Sequence, residues 1–369
     1  MTNIQYKFYI GYLVILMYCL SVTAETKVCQ VSKNQSTEYQ ETKLRFISML
    51  FRQGDRMLDD ITGQFQTNES YYPDSDGLLT DVGKRRAYEL GKFLREKYNN
   101  FLGDVYFIHN VVARSTAFIR NKMTLQLILA GLYPPIHPKQ KWHQKLNWQP
   151  FDISFVSLKK DALLMPHLCS KFHNVYKSIE ETQSAQQQIK QLDDVIQTFS
   201  TYTKNMTKLK DLYNLYHVLT TYETVGRGVS TKLLKDAVLL YYKMCSFSKV
   251  MKKINGGTML YRIIHDANDV INQGLDRRVN LFVGNDLNVV ALLNALDIFD
   301  NEIPPFTTGV IVELYEKNKQ HFVRILRYFG DVPPVLVKQK VFNCTELCPF
   351  NKFVQKTREI TNTDDEHCN

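Results

Sequence analysis

The amino-acid sequence predicts an α/β protein whose sheet is interrupted by a mostly helical insertion, and three observations carry that prediction. Segments rich in β-formers occur near both ends, in Lys43–Phe51 and again from Arg278 onward. Helix-type spacing of apolar residues follows the first of them. The stretch from about 155 to 250 then changes character, becoming rich in Gln, Lys, Tyr and Leu with no glycine between Phe151 and Val225. The expected organisation is a core built from 25–150 and 251–369, with 151–250 forming a helical cap.

Lys43-Leu-Arg-Phe-Ile-Ser-Met-Leu-Phe51 reads as a central strand that breaks at Gly54. Thr80 is placed as the N-cap of a helix carrying Ala87, Leu90, Phe93 and Leu94 on one face. Val105–Ile108 reads as a second strand. Ser115 through Leu132 is helical by pattern and stops at Gly131 and Pro134-Pro135. Strand-like alternation returns in Arg278–Gly284. Val310–Tyr315 and Phe322–Tyr328, joined by the polar Glu316–His321, read as a hairpin.

The chain has 369 residues, 44% hydrophobic and 22% charged, which suits one large elaborated domain or two domains. Residues 1–24 read as a secretory signal, with Lys7 ahead of an apolar stretch from Phe8 to Leu20 and small residues before a cut at Glu25. That stretch is too short and Tyr-rich for a comfortable membrane anchor, and no later segment approaches ~18 apolar residues. Of 7 cysteines, Cys19 leaves with the signal. Cys29, Cys169, Cys245, Cys344, Cys348 and Cys368 remain, an even set that argues for disulfides over metal ligation by Cys344-x-x-x-Cys348. Sequons at Asn34, Asn68, Asn205 and Asn343 suit the same compartment. The net charge of +9 contains no basic run longer than Lys252-Lys253 or Arg277-Arg278 and accompanies no nucleic-acid motif, so it reads as a solvated surface. No cofactor, metal, nucleic-acid or membrane partner is expected.

Met49-Leu-Phe-Arg-Gln-Gly-Asp-Arg-Met57 is the most informative stretch. It resembles the Arg-His-Gly-x-Arg signature of the histidine acid phosphatases, in which the His attacks the phosphate ester and becomes a phosphohistidine. Four further segments resemble that family in the same order: Leu79–Arg95, Arg114–Pro135, Asn285–Asp297 and Pro304–Tyr315. Trp148-Gln-Pro150 resembles the entry to its cap. The resemblance implies a histidine-phosphatase-like sheet flanked by helices, with a mostly helical cap.

Residue by residue, it makes Arg52, Arg56 and Arg114 the phosphate-binding arginines, whose guanidinium forks suit oxyanions, and Asp286 the proton donor. Gln53 stands where the nucleophile belongs, and Asn285 where a second His steadies the transferring group. A carboxamide nitrogen has no usable lone pair, and loss of a nucleophile typically costs about six orders of magnitude in rate. The alternative for the surviving arginines is inertia, as leftover ion pairs. His265-Asp266 is a literal His-Asp pair but falls in a helix-like stretch before the strand, where an ordinary helix residue is expected. The resemblance also implies disulfides Cys344–Cys348 and Cys169–Cys368. Another family pair is absent, with Asn214 and Gly309 at its positions, which leaves Cys29 and Cys245 for each other without family precedent.

The expected function is therefore a secreted, non-catalytic homologue that binds small molecules at Arg52, Gln53, Arg56, Arg114, Asn285 and Asp286. The combination resembles the acid-phosphatase-like proteins secreted in flea saliva. That resemblance implies sequestration of host amines such as serotonin and of leukotriene-type eicosanoids, and so of amines and anionic lipids as partners. A residual phosphatase, using Asp286 and a water, and an interaction module with a closed cleft are the alternatives.

Overall fold

The computed structural model describes residues 42–57, 77–200, 208–224, 231–330 and 333–361. Residues 1–24, read above as a signal, together with Cys29, Asn34, Asn68, Asn205 and Cys368, lie outside them. The chain from Leu44 onward forms one compact unit.

The first strand, β1 (Lys43–Arg52), is buried from Phe46 through Arg52. Its alternate side chains enter two cores, Phe46 and Leu50 on one face and Ile47, Met49 and Phe51 on the other. A strand covered on both faces needs an almost unbroken apolar run, and this segment has one. Helix α1 (Asp81–Lys97) follows, with the Thr80 side chain accepting from the Gly83 N–H at 3.0 Å as the expected N-cap. Strand β2 is Val111–Thr116 and helix α2 is Ile119–Leu132. The strand expected at Val105–Ile108 is therefore displaced: Phe107 and Ile108 are exposed, and the pairing with the central strand begins at Val111 opposite Val279. α1 and α2 pack backbone to backbone, because a Cβ on Gly91 would come 2.1 Å from the Ile128 carbonyl oxygen.

A short edge strand, β3 (Ser154–Val156), precedes the helices α3 (Ser170–Glu180), α4 (Gln183–Lys190), α5 (Asp193–Ser200), α6 (Leu209–Thr224) and α7 (Lys235–Met244). These gather their own apolar cluster, including Phe172, Leu212, Leu215, Val238 and Cys245. α8 (Thr258–Gln273) leads back to β4 (Val279–Gly284) and α9 (Asp286–Ala295). Leu287 and Val290 of α9 belong to the cluster of the insertion, which seats those helices over the start of α9.

The chain ends in the expected hairpin, β5 (Gly309–Lys317) and β6 (Gln320–Tyr328), turned at Asn318 and Lys319, both with positive φ. β7 (Leu336–Gln339), β8 (Cys348–Pro349) and α10 (Phe350–Thr357) complete it. The 8-stranded sheet runs β3-β2-β4-β1-β5-β6-β7, with β8 beside β6. β3, β2, β4 and β1 pair in parallel, and the later strands pair antiparallel. Ligands in such sheets bind beyond the carboxyl ends of the parallel strands, and the residues singled out by the sequence lie there.

Cys344 and Cys348 form the expected disulfide. Cys169 is also disulfide-bonded, to a partner outside the described residues. Cys245 is not: it is a free thiol at the end of α7, fully buried in the cluster of the insertion, where burial pushes its pKa up. Cys29, its expected partner, lies outside the described residues.

Candidate ligand-binding site

Register brings Gln53 and Asn285 together. Arg52 of β1 lies opposite Gly284 of β4, so the residues that follow, Gln53 and Asn285, leave the sheet side by side. The loop is held by backbone contacts from several elements. The Gln53 N–H donates to Gly284 O at 3.1 Å, its carbonyl accepts from Thr307 N at 3.1 Å, and Gly54 N donates to Thr124 Oγ1 at 3.1 Å. The turn presses on the start of α1 so closely that a Cβ on Gly83 would meet Asp55 O at 2.1 Å.

Within that loop Arg52 is 4% exposed and lies over the Phe306 ring at 4.2 Å, donating to the Pro304 carbonyl. No carboxylate pairs with it among the described residues. Beside it Gln53 is 3% exposed, and its Oε1 is buried without a partner among the described residues. Arg56 is buried as well and donates to Met57 O at 3.3 Å. Arg114 is differently disposed. Its Nη2 lies 2.5 Å from Oδ1 of the fully buried Asp161, which also accepts from Leu164 N at 3.0 Å. One nitrogen of the Arg114 fork is therefore engaged by a carboxylate, while its Nε is buried without a hydrogen-bond partner among the described residues. Asn285 is likewise engaged, accepting from Asn121 Nδ2 at 3.2 Å.

Asp286 opens α9, where a carboxylate suits the positive end of the helix. Rather than facing an empty cleft, it is enclosed by the helices of the insertion. Tyr213 of α6 donates toward both carboxylate oxygens at 3.2 Å, Tyr242 of α7 donates to Oδ2, and His217 Nε2 lies 3.1 Å from Oδ2. Burial by itself raises the Asp286 pKa, but His217, then Arg52 and the Tyr242 hydroxyl, outweigh it and hold the carboxyl well below the usual range. Burial pushes His217 down, with Asp286 opposing and Arg52 and Arg56 adding to the shift. The pair is thus an ionised carboxylate beside an imidazole that resists charging.

Tyr213, His217 and Tyr242 are the residues that the sequence reading missed. The one available signal was Tyr213-x-x-x-His217, polar tips at i,i+4 spacing on an otherwise apolar helix face. His265-Asp266 sits in α8, as expected of the decoy. With Asp269 it comes within metal-ligating reach, but Asp266 already accepts from Arg262, Arg277 and Asn280.

The buried imidazoles set a pH dependence. Burial, then Lys210, lower the His167 pKa to about 4, with Asp286 opposing, and His217 is shifted the same way. Unfolded imidazoles titrate near pH 6.5, so below that pH the unfolded chain binds more protons, and stability falls as pH drops toward the folded values. The slope reaches up to about 1.4 kcal/mol per pH unit per histidine. Asp286, with its depressed pKa, adds acid sensitivity only below about pH 4. Denaturant unfolding at pH 7 and pH 5 should show this loss, and His217→Gln should reduce it; equal stability at the two pH values would contradict the assignment.

The sheet order, the arginine-bearing loop after β1 and the helix opened by Asp286 after β4 together define a phosphatase-type fold. The family profile described as histidine phosphatase superfamily (branch 2) matches residues 32–254 and 195–327, and the chain belongs to that family. It is 30% identical to venom acid phosphatase Acph-1 of Apis mellifera over 341 residues, 88% of this chain and 87% of that one. It is 28% identical to prostatic acid phosphatase of Rattus norvegicus, across 86% of each chain. Among solved structures, the phytase of Klebsiella sp ASR1 superposes with a TM-score of 0.64 at 14% identity, covering 88% of this chain and 99% of that one, a likeness of fold. Among the described residues no helix is long and apolar enough to cross a membrane.

Proposed function

We propose that this is a secreted, non-catalytic acid phosphatase homologue that sequesters small host mediators in the former active-site cleft, antagonising haemostasis and inflammation. The observation that carries the reading is the Arg52–Gln53 pair: a buried guanidinium that makes no direct ion pair among the described residues and feels Asp286 only at a distance, beside a buried amide oxygen with no partner there. A buried guanidinium that no carboxylate contacts directly keeps donors for a ligand anion, and an amide in the nucleophile's place can hold a ligand but not attack it.

This geometry orders the ligands. An amphipathic carboxylate such as a leukotriene finds Arg52 available on its oxyanion-binding side, with Phe306 against the guanidinium face. A biogenic amine such as serotonin must take Asp286 from Tyr213, Tyr242 and His217. Anionic mediators are therefore expected to bind more tightly than amines. Titration calorimetry with leukotrienes, serotonin and phosphate monoesters tests this; amine binding stronger than leukotriene binding would reverse the order. One observation favours a second reading, slow hydrolysis of phosphate monoesters by an activated water: His217 brings an uncharged imidazole to Asp286, close to Arg52.

A further inference from the structure

We propose that the loop from Ile136 to Trp148 docks the protein on an anionic lipid surface. Every residue from Lys141 through Trp148 is exposed, and both tryptophans of the chain lie in this stretch. Trp142 is 58% exposed, Ile136 54%, Leu146 42% and Trp148 39%. These are side chains that a folded protein ordinarily covers, and their concentration on one loop marks a contact surface.

The loop is held in shape, so the patch is preformed. Trp142 Nε1 donates to Trp148 O at 2.8 Å across its base. Gln140 bonds both backbone groups of Tyr106, at 2.9 and 2.8 Å, which places the exposed Phe107 alongside. The rings of Trp148, Phe151, Tyr106 and Tyr133 continue inward in edge and tilted contacts.

Charge identifies the occupant. Lys139, Lys141 and Lys145 are exposed on the same loop, and between Val105 and Lys160 the only carboxylate is Asp152. A second copy of the chain would set these lysines against their own images. A sulfated polysaccharide would answer the lysines but leave the indoles and aliphatic side chains in water. A bilayer with anionic headgroups meets both needs: phosphates for the lysines, and the interfacial zone that indoles prefer. The sequence carried no expectation of a membrane partner, because no segment after the first approaches the length of an apolar span, and it is the exposure of this loop that reveals the patch.

Since both indoles lie in the loop, intrinsic fluorescence reports on the patch alone. Vesicles of phosphatidylcholine with phosphatidylserine should shift the tryptophan emission to the blue and carry the protein down on sedimentation, while pure phosphatidylcholine should do so far less. Lys139→Glu/Lys141→Glu/Lys145→Glu should weaken vesicle binding on the order of 100-fold, from about fivefold per lysine, without altering the melting temperature. The proposal is overturned if the emission is unchanged by anionic vesicles or if the lysine variant binds them as the parent does. It is equally overturned by a blue shift that follows protein concentration without vesicles, which assigns the patch to a second copy, or one that heparin produces and vesicles do not.

Discussion

Arg52→Met is expected to weaken leukotriene binding ~100-fold or more, about 3 kcal/mol, the scale of a bidentate charge-assisted contact in a desolvated site. Its effect on folding should be small by comparison. Arg52 packs on Phe306 and donates to the Pro304 carbonyl, and Met keeps much of that apolar contact. Removing a buried cation with no acidic partner among the described residues relieves a desolvation cost, while the loss of its attraction for Asp286 acts the other way. The net change in stability should stay within about 1 kcal/mol. Calorimetry and thermal melting on one preparation separate the two effects. Unchanged leukotriene affinity with a large fall in melting temperature would make Arg52 a structural residue.

The second large effect is on stability. Asp286→Ala is expected to cost about 3–5 kcal/mol, because it leaves the Tyr213 and Tyr242 hydroxyls and the His217 ring facing a vacated buried site. Tyr213→Phe or Tyr242→Phe should each cost about 1–2 kcal/mol, and less when combined with Asp286→Ala, since the interaction is shared. Urea unfolding of the double-mutant cycle measures that coupling. Additive losses would mean that the carboxylate and the two hydroxyls act independently. The same contacts join the insertion to the start of α9, so Asp286→Ala should also make α6 and α7 exchange their amide hydrogens faster.

Much of this was legible in the sequence because it depends on local pattern. β1 and β4 are short apolar runs ending at glycine-bearing loops, and the adjacency of Gln53 and Asn285 follows once those strands pair in register. The hairpin of β5 and β6 was legible for the same reason. Val105–Ile108 misled because β-formers at a sheet's approach resemble a strand, whereas the pairing with β4 selects Val111–Thr116 and leaves Phe107 exposed. The partners in the site were not legible. Asp161 lies 47 positions beyond Arg114, and Tyr213 lies 73 positions before Asp286, on a helix whose spacing reads as ordinary core. The burial of Cys245 was hidden likewise, because its neighbours come from several helices of the insertion.

Hydrolysis of an aryl phosphate by the purified protein, followed from acidic to neutral pH, bears most directly on a site that binds without reacting. Because the amides of Gln53 and Asn285 cannot form a phosphoryl intermediate, release of the phenol should not exceed the buffer blank at any pH, whatever the protein concentration. A rate that rises in proportion to protein, and that disappears in Arg52→Met and in His217→Ala, would show that the cleft turns substrate over and would contradict the reading of this chain as a receptor.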